Sequence, residues 1–322
     1  MEKEKFTVAG TEVLPGEHKE IRLHVGKLPS GTRINIYANV YRSVMPGPTV
    51  LVMAGMHGDE VNGVEIVRRA VEQKLFDRLQ RGTAIVIPLL NIYGFLLFSR
   101  EVPDGKDVNR SFPGSFKGSL ASRVARTLTK KILPHIDFGI DFHTGGANRH
   151  NYPQIRYSSG DAYAFELAQQ FKAPFVMKKA AISKSLRREA KKMGKPILVF
   201  EGGEALRLDG FSIDKALAGL ENLLYAQNML DQPSTIKHEI FHVPRSGWVR
   251  ASVAGIFEWS KASGQFVVKN EPIGTIRDPY GLHEAVIHAS KSGVIVGHNN
   301  SPVVNQGDAL FNIGYDIEKL DV

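Results

Sequence analysis

Four short apolar runs constrain this chain more than anything else in it. Residues 49–53 (TVLVM), 83–89 (TAIVIPL), 138–142 (FGIDF) and 196–200 (PILVF) are each only a few residues long. Runs of that length with no polar alternation read as strands buried on both faces. Helical patterns lie between them. One follows Glu60, with Val64, Val67, Ala70 and Val71 at helical spacing; others cover 120–133, 163–171 and 185–192. A long helix is expected over 213–229. Such alternation predicts an α/β fold, with a largely parallel or mixed sheet flanked by helices. In sheets of this kind ligands bind beyond the carboxyl ends of the strands. His57, Glu60, His143 and Glu201 all follow such ends, which predicts one site rather than scattered polar residues.

The flanks read differently. Strand-like stretches at 5–13, 19–25 and 33–41 precede the first run. After Gln232 the texture changes, with Pro233 and Ser234 reading as a linker. Short β-like runs separated by glycine follow at 247–253, 264–268, 273–277, 285–289, 293–296 and 309–313. The expected division is an α/β domain over 1–232 and a small all-β domain over 233–322. A chain of 322 residues with 43% hydrophobic content has ample material for such a core.

The chain has no cysteine. That excludes disulfides, thiolate zinc sites, iron–sulfur clusters and a cysteine nucleophile, so any metal site must be built from His, Asp, Glu or water. The formal net charge of +8 suits an acidic small molecule or nucleic acid. The densest basic stretch, 178–195, reads as a solvated helix face, and neither an RNA-binding aromatic signature nor a zinc finger accompanies it. No nucleic-acid partner is therefore expected. No apolar run approaches a membrane span. Met1-Glu2-Lys3-Glu4-Lys5 is not followed by the apolar stretch of a signal peptide. A soluble, cytoplasmic protein with no membrane partner is the expectation.

Four motifs carry chemistry. His57-Gly58-Asp59-Glu60 is an H-x-x-E on a loop leading into a helix, flanked by Gly55, Gly58 and Gly63. An imidazole nitrogen and a carboxylate at that spacing can face one metal, and they suit zinc. Asp141-Phe142-His143-Thr144-Gly145-Gly146 places a third candidate ligand at a strand end, with Asp141 available to orient it. Arg100, followed by Asp107-Val108-Asn109-Arg110-Ser111-Phe112-Pro113-Gly114, offers donors for a carbonyl and a carboxylate. Phe200-Glu201-Gly202-Gly203-Glu204 puts a carboxylate at the end of an apolar strand, where it suits a general base, with Glu204 as the weaker candidate. His283-Glu284 and His288 imitate H-E-x-x-H but are spaced one residue too far apart. Neither a G-x-S-x-G elbow nor a Walker A or Rossmann fingerprint is present. Tyr152, Tyr157 and Tyr280 are either pocket residues or packing aromatics.

Together and in this order, the four motifs resemble the succinylglutamate desuccinylase/aspartoacylase family, a branch of the zinc-carboxypeptidase-like hydrolases. The C-terminal stretch resembles that of the "predicted deacylase" branch, whose hammerhead is similar to biotinyl/lipoyl domains. No lysine stands in the turn at 281–286 (GLHEAV), so no carrier function is expected. The resemblance implies a zinc-carboxypeptidase-like fold and one zinc per chain on His57, Glu60 and His143. It implies Glu201 as the catalytic carboxylate, Arg100 as oxyanion stabiliser, and Asn109 and Arg110 as the grip on a substrate carboxylate. The activity it implies is hydrolysis of the amide of a small N-acyl amino acid or related N-acyl amine. Two alternatives stand beside it: a metallocarboxypeptidase acting on peptides, and a non-catalytic binder of an acidic ligand. A homo-oligomer is left open.

Overall fold

The four apolar runs become four adjacent parallel strands: Arg81–Ile87, Met45–Ala54, Phe138–Gly145 and Ile197–Glu204, in that order across the sheet. The computed structural model describes residues 5–28, 30–235 and 237–321. Residues 1–4, on which the signal-peptide expectation partly rests, lie outside them. Parallel pairing sends all four carboxyl ends to one edge, and the candidate site residues stand there.

Each central strand is buried on both faces because helices cover both. Val50, Val52 and Ala54 pack toward Ile66 and Val67 of the Val61–Glu72 helix and toward the Ala162–Phe171 and Gly210–Ala226 helices. Leu51 and Met53 point the other way, into a second core with Val124 and Leu128 of the Leu120–Lys131 helix and Leu186 and Ala190 of the Leu186–Lys192 helix. The helices start on side-chain caps where the sequence supplies them. Ser119, Asp161, Ser185 and Asp209 each accept a backbone N–H of the first turn.

The sheet is mixed, as expected, because antiparallel strands extend it on both sides. Arg33–Arg42 and His18–Lys27 continue it past Arg81–Ile87. On the far side Arg149–Ser158 runs antiparallel to Ile197–Glu204 and parallel to Phe175–Lys179. Next come Gly293–Asn299, Ala309–Tyr315 and Arg245–Arg250 of the C-terminal segment. That segment has its own core, with Phe257, Ile276, Ile295 and Phe311 between this extension and a second sheet of four strands. Its ladder nevertheless joins the central sheet directly, through Gly297 opposite Asn151 and His298 opposite His150.

Three local expectations need correction. The stretch 5–13 is a hairpin, Phe6–Val8 and Thr11–Val13, turning at Ala9-Gly10 with positive φ at both residues. The strands Arg149–Ser158 and Phe175–Lys179 were not expected at all. The first reads RHNYPQIRYS, with neither apolar alternation nor freedom from proline, because much of it faces a polar cavity. The basic stretch 178–195 is not one solvated helix face. Lys178 and Lys179 end a strand, only Leu186–Lys192 is helical, and Arg187 is buried. No helix among the described residues is long and apolar enough to cross a membrane.

Candidate active site

His57 and Glu60 lie on the turn between the Met45–Ala54 strand and the Val61–Glu72 helix. His143 lies near the carboxyl end of the adjacent Phe138–Gly145 strand. Gly63, in the first turn of that helix, allows the elements to meet, since a Cβ there would stand 2.4 Å from the Phe142 carbonyl oxygen. Glu60 occupies the N-cap position of the helix yet makes no side-chain capping bond. Its carboxylate turns instead to the two histidines. Its Oε1 is 2.7 Å from His57 Nδ1 and its Oε2 is 2.6 Å from His143 Nδ1. The Thr144 backbone N–H also donates to Oε2, at 3.2 Å. All three residues are buried, and their ligand-type atoms lie within 4.8 Å of one another.

Both distal ring nitrogens face carboxylates. His143 Nε2 is 2.8 Å from Asp141 Oδ2, the orienting role expected for Asp141. His57 Nε2 lies 3.3 Å from Asp107 Oδ1, within ion-pair range though without hydrogen-bond alignment. This arrangement leaves each Nδ1 beside one oxygen of the Glu60 carboxylate, with carboxylates behind the rings as in metal-ligating histidines. The donor set fits a divalent cation such as zinc.

The electrostatics follow from the pairing. Burial pushes His143 down, but Asp141 and Glu60 outweigh it and hold the imidazole well above its ordinary range. His57 is raised likewise, burial being outweighed by Glu60 and Asp107. Burial pushes Glu60 up, but His57 and His143 draw it well below the carboxylate range. Metal ligands must shed such protons. Zinc added to metal-free protein is therefore expected to release protons, and its apparent affinity to weaken as pH falls, starting above the ordinary imidazole value of 6.5 because both imidazoles are raised. Calorimetry in buffers of different ionisation enthalpy reads the release; uptake independent of pH would sink this account.

Arg100 stands beside the cluster. Its Nη1 is 3.3 Å from Glu60 Oε1 and 3.2 Å from His57 Nδ1, while Nε and Nη2 donate to Asp107 Oδ2. Asp107 thus serves both Arg100 and His57; the sequence reading quoted it without assigning it a role. A cavity of about 470 Å³ opens from the cluster. Asn109 and Arg110 line it, as does Glu201. Asn109 Oδ1 accepts the Leu186 N–H at 3.0 Å, which leaves its Nδ2 donor for the cavity. Arg110 is exposed, and its Nη1 donates to the Asn109 carbonyl at 2.8 Å. All seven candidate residues therefore border one cavity.

Glu201 does not meet the apolar surroundings that its strand suggests. Its Oε1 accepts from Arg156 Nη1 at 2.6 Å and its Oε2 from Asn151 Nδ2 at 2.9 Å. Burial and the neighbouring Arg156 and Arg187 push Lys179 down to about 8, and burial with Arg156 pushes Arg187 down to about 10. Glu201 is thus one carboxylate among several cations. Glu204 is turned away, accepting from Asn300 Nδ2. The sequence reading missed Asn151, Arg156, Arg187 and Trp248, all of which line the cavity. Trp248 comes from the C-terminal segment, with the Arg149 guanidinium 5.8 Å from its ring centre. Among these tyrosines, Tyr152 packs on Phe175 and Phe211, Tyr157 packs on Phe165, and Tyr280 is solvent-exposed; none borders the cavity.

Known proteins are similar to this chain in sequence and in fold. The N-alpha-acetyl-L-2,4-diaminobutyric acid deacetylase of Halomonas elongata is 28% identical over 296 residues, covering 85% of this chain and 84% of its own. The product-bound structure of the ectoine utilization protein EutE (DoeB) from Ruegeria pomeroyi superposes with a TM-score of 0.83 at 22% identity, covering 92% of this chain and 94% of that one. A succinylglutamatedesuccinylase/aspartoacylase from Rhodobacter sphaeroides gives a TM-score of 0.81 at 23% identity, covering 94% and 96%. The family model described as the succinylglutamate desuccinylase/aspartoacylase catalytic domain matches residues 46–226, more than half of the sequence and the whole stretch that carries the His57, His143 and Glu201 motifs: the chain belongs to the succinylglutamate desuccinylase/aspartoacylase family.

Proposed function

We propose that the protein is a zinc-dependent hydrolase of the amide bond of a small N-acyl amino acid or related N-acyl amine. One observation carries the reading: a buried His–Glu–His cluster, with carboxylates behind both imidazoles, opens on a cavity that Glu201, Asn109 and Arg110 also line. The diaminobutyrate deacetylase relative acts on an N-acetyl amino acid, which agrees with it. His57, Glu60 and His143 would hold one zinc per chain. When bound, that ion supplies Lewis acidity at the acyl carbonyl.

The chain's own residues account for the rest. Glu201 takes a proton from the attacking water and returns it to the leaving amine. Arg100, anchored by Asp107, stabilises charge developing on the carbonyl oxygen, worth about 3–4 kcal/mol for a well-placed donor. Asn109 and Arg110 hold the substrate carboxylate and so fix its register. Residues 1–232 then act as the catalytic unit, with 233–322 as a β domain that is not a carrier. Trp248 from that β domain walls the cavity, which favours a small substrate over the extended peptide of a carboxypeptidase.

The test is metal analysis of gently purified, untagged protein followed by a panel of N-acyl amino acids. About one zinc per chain, with hydrolysis lost on chelation and restored by zinc, is the expected result. Protein that neither carries nor takes up metal would hand the site to the non-catalytic reading. Faster cleavage of peptides than of N-acyl amino acids would favour the carboxypeptidase.

A further inference from the structure

Glu201 is held by two residues that a regular strand would not bring together. Asn151 and Arg156 are five apart on the Arg149–Ser158 strand, and strict alternation would put them on opposite faces. The ladder slips between them. Glu201 faces Gln154, but Gly203, two residues on, faces Asn151, three residues back. The extra residue is a β-bulge, at Tyr152-Pro153. It re-aims Asn151 so that its Nδ2 reaches one Glu201 oxygen while Arg156 Nη1 reaches the other.

Both holders are braced by the same outside strand, Gly293–Asn299 of the C-terminal segment. Gly297 pairs with Asn151, and a Cβ at Gly297 would lie 2.6 Å from Asn151 Oδ1 and 3.1 Å from the His150 carbonyl oxygen. Only glycine leaves room for the Asn151 amide there. The neighbouring Val296 carbonyl accepts from Gln154 Nε2 at 3.0 Å. Gln154 is fully buried opposite Glu201, and its Oε1 accepts from Arg156 Nε at 3.2 Å. Two chains of contacts thus run from one C-terminal strand to the two oxygens of one carboxylate.

We infer that the Gly293–Asn299 strand is a positioning element of the active site, fixing the Glu201 carboxylate through Asn151 and through Gln154 and Arg156. This rests on Glu201 being the proton-transfer group proposed above. A buried polar network with its members satisfied is rigid, and a base displaced by a fraction of an ångström loses much of its rate. The C-terminal segment then has a part in turnover although it supplies none of the candidate metal ligands.

The experiment compares Asn151→Ala, Gly297→Ala, their double variant, Gln154→Met and Glu201→Ala, each checked for bound metal and for melting temperature. Asn151→Ala, Gly297→Ala and Gln154→Met are each expected to lower kcat roughly 10–100-fold with KM little changed, the range for lost orienting partners. If Gly297 acts through Asn151, Gly297→Ala costs almost nothing further in the Asn151→Ala background. Gln154→Met tests the second chain even if Gly297→Ala does not fold. Unchanged kcat in folded, metal-loaded Asn151→Ala and Gln154→Met would overturn the inference, as would fully additive losses at 151 and 297. A Glu201→Ala enzyme with normal turnover would instead overturn the reading of Glu201 on which the inference stands.

Discussion

Glu201→Ala is expected to retain its metal and lose turnover by about 10²–10⁴-fold, the usual contribution of a positioned proton-transfer group. The separation follows from geometry. Glu201 lies within a neighbouring strand and bonds to Arg156 and Asn151, whereas the candidate ligands bond among themselves and to Asp141. Removing it leaves that cluster intact. His57→Ala makes the contrast, because it deletes a ligand nitrogen and leaves Glu60 with one imidazole partner, so metal and activity should fall together. Metal content and kcat measured on both variants decide the matter. If Glu201→Ala loses its metal as His57→Ala does, Glu201 is a ligand rather than a base. The vacated Arg156 guanidinium would face the cavity in Glu201→Ala, so its melting temperature belongs beside the kinetics.

The core of the fold and the head of the site were legible for one reason. Strands buried on both faces must be continuously apolar, and the residue following such a strand must stand at the sheet's carboxyl edge. TVLVM, FGIDF and PILVF therefore announced His57, His143 and Glu201 together. The cavity wall was illegible for the converse reason. The strand that lines it carries Asn151, Gln154 and Arg156, polar because they face Glu201 or one another, and it contains Pro153, so its sequence resembles a loop. Arg187 hides in a run of cations where nothing local separates a buried guanidinium from a solvated one. Trp248 depends on a long-range pairing, Arg245–Arg250 against Ala309–Tyr315 and onward to the Arg149–Ser158 strand, that no local pattern specifies. The dual service of Asp107 to His57 and Arg100 likewise emerges only when two loops distant in sequence meet.

That wall bears on substrate choice. Arg100, Arg110, Arg149, Arg156 and Arg187 border the cavity, against the carboxylates of Glu60, Asp141 and Glu201. That excess of guanidinium over carboxylate favours an anionic group on the ligand. The overall charge of +8 acts in the same direction at longer range, raising encounter rates with acidic substrates at low salt.

Within this wall Arg110→Ala should have the next largest effect, and a selective one. The loop is set for binding before substrate arrives: Asp107 Oδ1 accepts the Asn109 N–H at 2.6 Å, Ser111 Oγ donates to the Asp107 carbonyl at 2.9 Å, and Arg110 Nη1 rests on the Asn109 carbonyl. Little ordering remains to be done when a carboxylate binds. Hydrogen bonds to charged groups contribute about 1.5–3 kcal/mol each, so losing a two-pronged contact should lower kcat/KM for N-acyl amino acids by roughly 10²-fold or more. The same substitution should scarcely affect analogues whose carboxylate is replaced by a neutral amide. Arg110→Lys should recover only part of the loss, because a lysine keeps the charge but not the planar fork. Equal losses on charged and neutral substrates would show that Arg110 holds the loop rather than the ligand. A normal kcat/KM on both would move the carboxylate grip elsewhere on the arginine wall.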